Sequence, residues 1–289
     1  IHQAGAAFEV ECFAGTYRAA NNDASDCINV PAGKVGHSAS ASTTTTHETG
    51  AYQLADCPAG TFKAAAGTSV CVDVGAGKVG RTSSTATTGL ADSIHQAGAA
   101  FEVGCFAGTY RAANNDASDC INVPAGKVGH SASASTTTTH ETGAYQLADC
   151  PAGTFKAAAG TSVCVDVGAG KVGRTSSTAT TGLADSIHQA GAAFEVDCAN
   201  GTYRANNNDS TNCITVPNGQ QGEDGLGAYA STGAVTAVNC VAGKYSTNGD
   251  GQCQDVGAGK VGRTSNAATT NLADSIHQAG AAFEVDCAN

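Results

Sequence analysis

The fold follows from one short stretch of the chain, residues 57–81, which reads CPAGTFKAAAGTSVCVDVGAGKVGR. Two cysteines enclose a segment of small residues, and glycines and isolated valines follow them. The same design precedes it, because Cys12-Phe-Ala-Gly-Thr-Tyr echoes Cys57-Pro-Ala-Gly-Thr-Phe and Cys27-Ile-Asn-Val echoes Cys71-Val-Asp-Val. The sequence therefore predicts a half-repeat of about 45 residues.

The half-repeats are arranged in longer tandem units. Residues 1–93 recur as residues 94–186 with a single difference, Glu11 against Gly104. A diverged third unit covers residues 187–275, and residues 276–289 begin a fourth. Tandem units usually pack on their neighbours instead of forming isolated globules. Because the chain begins at Ile1 without a methionine, we expect it to be a segment of a longer array.

The composition excludes a large core of bulky side chains. The chain has no Trp and no Met, aromatic residues make up 5%, and there are 37 glycines. Glycine interrupts every potential helix, whereas threonine and valine favour strands. We expect strands within residues 15–18, 27–30 and 98–105, and a mainly β fold. Small modules of this kind need cross-links, so we predict an elongated rod of disulfide-stapled modules.

The cysteines fall on a regular grid that predicts local disulfide bonds. The recurrence of short intervals favours pairing of neighbours, although Cys27 could instead reach Cys57. Cys287 occupies the place of Cys12, and its partner is expected beyond the last residue. The predicted pairs are Cys12 and Cys27, Cys57 and Cys71, Cys105 and Cys120, Cys150 and Cys164, Cys198 and Cys213, and Cys240 and Cys253.

Regular cysteine pairs are typical of an oxidising compartment, so we expect an extracellular or cell-surface location. Zinc sites need cysteines clustered as in C-x2-C, and no two cysteines here are that close. We therefore predict no metal and no other cofactor. The formal charge of -11 argues against nucleic acid as a partner. No stretch approaches the roughly 18 apolar residues of a membrane span.

Hydroxyl-rich segments are candidate glycosylation sites. Residues 38–46 resemble an O-glycosylated stalk, and their alternation also suits a thin, exposed strand. Residues 81–88 are a weaker version of the same pattern. The O-glycosylation candidates are Ser38, Ser40, Ser42, Thr43, Thr44, Thr45, Thr46, Thr85, Thr87 and Thr88. The N-glycosylation candidates are Asn200 and Asn208, which stand in Asn-x-Ser/Thr motifs.

No arrangement of residues indicates catalysis. His2, His95, His188 and His277 are one position repeated four times, without a neighbouring nucleophile, and we interpret them as structural. Phosphate-binding loops, paired carboxylates and Ser-His-Asp orderings are not evident in the sequence. We therefore predict that the protein is not an enzyme and has no catalytic residue.

The recurring Cys57-Pro-Ala-Gly-Thr-Phe and Cys27-Ile-Asn-Val-Pro-Ala-Gly motifs resemble the ciliate immobilization (surface) antigens, whose tandem modules read C-x-x-C-P-A-G-T-Y. Val30 and Val74 stand where those modules carry a second cysteine. The resemblance implies a secreted, usually lipid-anchored coat protein built of stacked disulfide modules, without enzymatic activity.

Near-identical copies suit a structural role, since reach and avidity grow with each copy and a regular polymer requires equivalent contacts at each step. We predict a non-enzymatic extracellular structural protein that forms a cell-surface coat or a fibril. Its predicted partners are neighbouring repeats, copies of itself and covalent glycans. The alternative is a multivalent adhesin or glycan-binding surface protein.

Overall fold

The computed structural model describes residues 3–19, 25–38, 44–114, 117–131, 137–207, 210–247 and 252–288. These residues form a series of two-stranded antiparallel hairpins and one 3-10 turn, Leu90–Asp92, and they contain no α-helix. The predicted mainly β fold of small, disulfide-stapled modules in tandem is confirmed.

Short and long hairpins alternate along the chain, because each odd-numbered strand pairs with the strand that follows it. The strands are β1 (Thr16–Tyr17), β2 (Ile28–Asn29), β3 (Lys34–His37), β4 (Gln53–Asp56), β5 (Thr61–Phe62), β6 (Val72–Asp73), β7 (Lys78–Arg81), β8 (Phe101–Gly104), β9 (Thr109–Tyr110), β10 (Ile121–Asn122), β11 (Lys127–His130), β12 (Gln146–Asp149), β13 (Thr154–Phe155), β14 (Val165–Asp166), β15 (Lys171–Arg174), β16 (Phe194–Asp197), β17 (Thr202–Tyr203), β18 (Ile214–Thr215), β19 (Gln220–Glu223), β20 (Thr236–Asn239), β21 (Lys244–Tyr245), β22 (Gln254–Asp255), β23 (Lys260–Arg263) and β24 (Phe283–Asp286).

Each half-repeat contains one short hairpin followed by one long hairpin, and it runs from a leading cysteine to the residue before the next leading cysteine. The half-repeats are residues 12–56, 57–104, 105–149, 150–197, 198–239 and 240–286. The second of these crosses the sequence boundary between residues 93 and 94, so the packing frame is offset from the frame of the sequence units.

A disulfide bond joins the segment before the first strand of each short hairpin to the residue directly before its second strand. In the described residues the structure joins all six neighbouring pairs, from Cys12 with Cys27 to Cys240 with Cys253. The alternative link between Cys27 and Cys57 is therefore not formed. Cys287 is a free, exposed thiol.

The register of the hairpins follows from local polar contacts. In the short hairpin, Thr16 is buried and its hydroxyl donates to the carbonyl of Phe13 at 2.8 Å. In the long hairpin, Lys34 lies directly opposite Asp56 and forms an ion pair with it. The diverged third unit replaces this pair with an amide hydrogen bond of 3.1 Å from Gln220 to Asn239. A polar cross-strand pair therefore supports the same register in these two hairpins by two different chemistries.

The core consists of valines and disulfides. Val35 on β3 is fully buried and packs against the Cys57–Cys71 bond of the next half-repeat. Equivalent clusters combine Val79 with Cys105 and Cys120, Val128 with Cys150 and Cys164, and Val172 with Cys198 and Cys213. The accessible surface is 14544 Å². A compact monomer of 28.3 kDa would expose only about 11,000 Å², so the hairpins form an extended stack.

The predicted strands are present but shorter than expected. Residues 15–18, 27–30 and 98–105 contain β1, β2 and β8. Gly15 and Gly98 have φ angles of 90° and 71°, which lie outside the β region, so neither glycine extends its strand. Phe101 is 41% exposed and lies at the loop end of its hairpin, opposite Arg81.

The close approach of two main chains predicts a strong effect of Gly77→Ala. Gly77 has a φ of 73°, and a Cβ there would overlap the carbonyl oxygen of Gly143 in the next half-repeat. We expect a loss of about 2–4 kcal/mol of local stability, from left-handed strain and overpacking. Hydrogen exchange of residues 57–149 measures it. Gly89→Ala is the matched control, since Gly89 is extended and has open space around it. Equal protection in both variants would contradict the role of this contact.

Candidate functional site: the junction between half-repeats

A backbone clamp joins each half-repeat to the next. At the first junction, the N–H of Gly33 donates to the carbonyl of Lys63 at 2.9 Å, and the N–H of Lys63 donates to the carbonyl of Ala99 at 3.0 Å. The same clamp recurs at Arg111, Lys156, Arg204 and Ser246. One residue of the short hairpin therefore sits between two glycine-containing segments at each described junction.

The side chain at the centre of the first junction is a buried cation that the sequence analysis did not identify. Lys63 is 1% exposed, and its Nζ donates to the carbonyls of Val30 at 3.2 Å, Pro31 at 3.0 Å and Ala65 at 2.7 Å. Val30 and Pro31 belong to the preceding half-repeat. All three ammonium protons therefore have a main-chain acceptor, which offsets the cost of burying the charge.

Arginine performs the same task at the alternate junctions. Arg111 is 2% exposed, and its Nη1 donates to the carbonyls of Val74, Gly75 and Lys78 in the preceding half-repeat, the shortest of these bonds being 2.9 Å. Its Nε donates to the carbonyl of Ser118 at 2.8 Å. Lys156 and Arg204 repeat the two arrangements. The alternation of lysine and arginine in the sequence corresponds to two versions of one contact.

Burial of the junction lysines changes their pKa. Removal of the ammonium group from water lowers the pKa of Lys63 and of Lys156 from the ordinary lysine value. The last described junction has no cation at this position: Ser246, which is 1% exposed, takes the place of lysine or arginine. The backbone clamp is retained there, so the cation strengthens a contact that the main chain defines.

Histidines bind the long loops to the strands. His47 Nδ1 accepts from the N–H of Gly36 at 3.0 Å, and its Nε2 lies 2.8 Å from the carbonyl of Ser69 in the next half-repeat. With Nδ1 as the acceptor, the tautomer that fits this geometry donates from Nε2 to the Ser69 carbonyl. The structural interpretation of the repeated histidines agrees with this geometry for three of them: Gly80, Gly173 and Gly262 donate in the same way to His95, His188 and His277. His2 lies outside the described residues.

The residue after each of these histidines closes the loop with its side chain. Glu48 accepts from the N–H and the hydroxyl of Ser38 at 2.8 and 2.7 Å, and these bonds hold the pKa of its carboxyl below the usual value. Gln96 accepts from the N–H and the hydroxyl of Thr82 at 2.9 and 3.0 Å. Glutamate and glutamine thus make equivalent loop closures in the two kinds of half-repeat.

A buried serine fastens the turn before the histidine to the next hairpin. Ser93 is fully buried; its hydroxyl donates to the carbonyl of Gly89 at 3.0 Å and accepts from the N–H of Phe106 at 3.2 Å. Its carbonyl accepts from the N–H of Cys120 at 3.1 Å. Ser186 makes the same contacts with Gly182, Ala199 and Cys213.

The glycosylation candidates differ in their surroundings. Asn200 is exposed, whereas Ser40, Ser42, Thr43 and Asn208 lie outside the described residues. Ser38 and Thr46 are exposed, Thr44 and Thr45 are half-buried, and none of these four residues lies in a strand, which removes the strand interpretation for them. In the second tract Thr85 is exposed, the Thr87 hydroxyl donates to the carbonyl of Gly104 at 2.8 Å, and the Thr88 hydroxyl donates to Asp92 at 2.5 Å.

The described residues do not gather as a metal site would require. No three His, Cys, Asp or Glu side chains in this part of the chain could hold a metal ion together. The buried lysines and arginines lie one at each of four junctions, where they bind main-chain carbonyls. The chemistry of the junction is therefore recognition of one half-repeat by the next.

The buried ammonium predicts unequal effects of two substitutions at residue 63. Lys63→Met removes three charge-assisted hydrogen bonds and should cost about 2–5 kcal/mol of local stability. Lys63→Arg introduces the residue type that occupies the equivalent position at Arg111. It should cost less than half as much local stability. Hydrogen exchange of residues 28–73 compares them. Equal losses would mean that the charge and its hydrogen bonds do not hold this junction.

The surroundings of His140 predict loosening of its junction in acid. The pKa of His140 is lowered, mainly because burial removes the ring from water. The hydrogen bond from His140 to the carbonyl of Ser162 opposes this shift, and the charge of Lys156 adds to it. The unfolded chain therefore binds the proton more readily, so stability is full above about pH 6.5 and falls as the pH drops below that value.

Hydrogen exchange of Gly129, the donor to His140 Nδ1, measures this loss after correction for the intrinsic rate. Gly222, in the third unit, is the internal control, because Tyr229 follows it where the first two units have His47 and His140. His140→Asn should flatten the pH dependence at Gly129. An unchanged pH profile in that variant would contradict the assignment.

Comparison with known protein families gave no matching family, and comparison with curated protein sequences gave no significant match. The function of this chain must therefore be inferred from the geometry of its own junctions.

Proposed function

We propose that this chain is a segment of a long extracellular repeat array whose function is structural. One observation carries the proposal: the junction is repeated with the same main-chain contacts even where the sequence has diverged. Gly170 donates to the carbonyl of Arg204 at 2.8 Å across the entry to the third unit, as Gly77 donates to Arg111 at 2.8 Å between the first two. Divergence that preserves the junction is expected of a protein selected for stacking.

The proposed role is non-enzymatic. A catalyst depends on one set of polar groups that face a substrate, whereas the buried junction cations bind main-chain carbonyls of the preceding half-repeat. The cations at residues 63, 111, 156 and 204 are all less than 3% exposed. A ligand in solution therefore cannot reach them.

The disulfide bonds indicate the kind of compartment in which the protein resides. The six disulfide bonds of the described residues are typical of an oxidising environment outside the cytosol. No helix in the described part of the chain combines the length and the apolar character needed to cross a bilayer. We place the array at the cell surface or in the extracellular medium.

Within this proposal, the array forms a surface coat or a fibril that carries covalent glycans. The extended stack gives length for little mass, and exposed Asn200, Thr46 and Thr85 offer attachment points. The resemblance of the Cys-Pro-Ala-Gly-Thr-Phe motif to the ciliate immobilization antigens supports the coat. The near-identity of the first two units supports a regular fibril, because equivalent steps require equivalent contacts.

Mass spectrometry and electron microscopy of native material test the proposal. Peptides cross-linked within the pairs and bearing glycans at residues 38–46, 85–88 or 200, on filaments or surface layers of uniform width, are the expected result. Release of the protein by a lipase that cleaves a lipid anchor would select the coat over the fibril. Free thiols and unmodified hydroxyls in native material would overturn the extracellular assignment.

A structural array also predicts that damage stays local. Replacement of Cys150 and Cys164 by alanine should remove about 3 kcal/mol from half-repeat 150–197 and leave residues 12–56 and 240–286 protected, since each half-repeat contacts its neighbours. Protease mapping and hydrogen exchange measure this. Cys287→Ser is the control and should change nothing, because that thiol is free and exposed. Loss of protection over the whole chain would contradict a locally stabilised stack.

A further inference from the structure

We propose that copies of this chain pack side by side through a row of exposed apolar side chains on their short hairpins. Five short hairpins of the described residues each contribute one outer pair, which consists of an exposed isoleucine or valine and the half-buried aromatic residue directly opposite it. The inference rests on the proposed function and names its partner, a second copy of the chain, and the surface that binds it. The outer pairs are Tyr17 with Ile28, Phe62 with Val72, Tyr110 with Ile121, Phe155 with Val165, and Tyr203 with Ile214.

The outer pairs point away from the contacts that hold the array together. Thr109 and Arg111 are 1% and 2% exposed, whereas Tyr110 between them is only half-buried. Successive side chains of a strand point to opposite faces, and residues directly opposite each other share a face. Ile121 therefore lies beside Tyr110 on the outer face, where it is 55% exposed. The junction thus accounts for the polar residues of the short hairpin but not for its apolar ones.

The exposure of the aliphatic residue is nearly constant along the array. The exposed fractions are 55%, 49%, 55%, 48% and 54% for Ile28, Val72, Ile121, Val165 and Ile214. Ile214 lies in the diverged third unit, where the next residue has changed from asparagine to threonine. The last short hairpin of the described residues has Gln254 in this place. Hydrophobic residues scattered singly are normal on soluble proteins, whereas a contiguous row of them marks an interaction surface.

Direct contacts between consecutive short hairpins make the outer pairs one continuous surface. The N–H of Gly67, in the loop of the second short hairpin, donates at 2.9 Å to the carbonyl of Val30, which directly follows the first hairpin. Arg111, directly after the third aromatic residue, donates through Nη1 at 2.9 Å to the carbonyl of Gly75, just beyond the second hairpin. Because the backbone clamp recurs at each described junction, the outer pairs follow one another at a regular step along the stack.

A second copy of the chain is the partner that fits this row. A globular partner would reach one or two outer pairs, whereas another copy presents an outer pair at every step of the same length. Five outer pairs that each bury roughly 150 Å² approach the ~800 Å² per partner of a standard interface, and a single pair falls far short of it. The aliphatic side chains are more exposed than the aromatic rings, which favours packing against apolar groups over stacking of sugar rings.

The charge of the chain predicts how this association depends on salt. The formal charge of -11 makes two copies repel each other. Salt screens the repulsion and leaves the apolar contact intact, so the association should strengthen as salt is added. An interface held by ion pairs would weaken instead.

Sedimentation and light scattering of the 289-residue chain, with its disulfide bonds intact, test the proposal. We expect dimers and larger side-by-side assemblies whose share rises with protein concentration and with salt between about 0.05 and 0.5 M. Electron micrographs should show particles two rods wide under the same conditions.

Two double variants locate the contact. Ile121→Asp with Val165→Asp should weaken the association about tenfold or more, because each carboxylate loses water at the interface. Both residues are about half exposed in the single chain, so its hydrogen-exchange protection should be unchanged. Leu90→Asp with Leu183→Asp is the matched control. It adds the same charge at side chains 43% and 47% exposed outside the row and should associate as the unaltered chain does.

A milder variant keeps the shape of the strand. Ile121→Thr with Val165→Thr retains two β-branched side chains and should weaken the association in the same direction by a smaller factor. Monomers at every concentration and salt, or equal association of the two aspartate variants, would overturn side-by-side packing. A monomeric chain that chitin or cellulose retains through Ile121 and Val165 would also overturn it and assign the row to a polysaccharide. The proposed structural role is decided separately, by the cross-links and glycans of native material.

Discussion

The array depends on the close contact of main chains at each junction, which a buried cation strengthens at four of the five described junctions. Lysine and arginine are rarely buried to this degree, because removal of the charge from water is costly unless the hydrogen bonds are satisfied. Here the acceptors are peptide carbonyls, which every sequence provides. At Lys63 three protons meet three carbonyls. The contact therefore requires one basic residue and a fixed backbone path, and it places few demands on the side chains of its neighbour.

Glycine residues provide the backbone path that this contact requires. Gly33, Gly77, Gly126, Gly170 and Gly219 have positive φ angles, and at each of them a side chain would overlap a carbonyl of the next half-repeat. The main chains approach so closely that they exclude side chains from the contact, which explains how a stack with few aromatic residues can be continuous. The third unit illustrates the outcome: its loop sequence is changed and shortened, yet Gly219 still donates to Ser246 at 2.8 Å.

The sequence predicted those parts of the fold that depend on disulfide bonds or on the repeating residue pattern. Regular cysteine spacing predicted the local disulfides, and glycine with threonine and valine predicted short strands. The partner strands Gln53–Asp56 and Gln146–Asp149 were not predicted, because they lack the alternation of a half-buried strand and their pairing spans a long loop. The junction cations were missed for a related reason. In Thr109-Tyr110-Arg111 the polar residues face inward, with 1% and 2% exposure, and the tyrosine is only half-buried. This inverts the pattern on which core assignments depend.

The valine and disulfide clusters explain how so thin a core can be stable over a long stack. Each cluster joins a valine of one half-repeat to the disulfide of the next, so the cross-link that orders a hairpin also supplies the apolar surface on which the preceding strand packs. Apolar burial, the backbone clamp and the cation contact therefore all lie at the same interface. Most of the stabilising contacts then lie at the junctions and not within single modules. The free energy of unfolding of the array therefore increases with each half-repeat added. A chain with this distribution of contacts gains most from length, which is the physical reason that its sequence consists of copies.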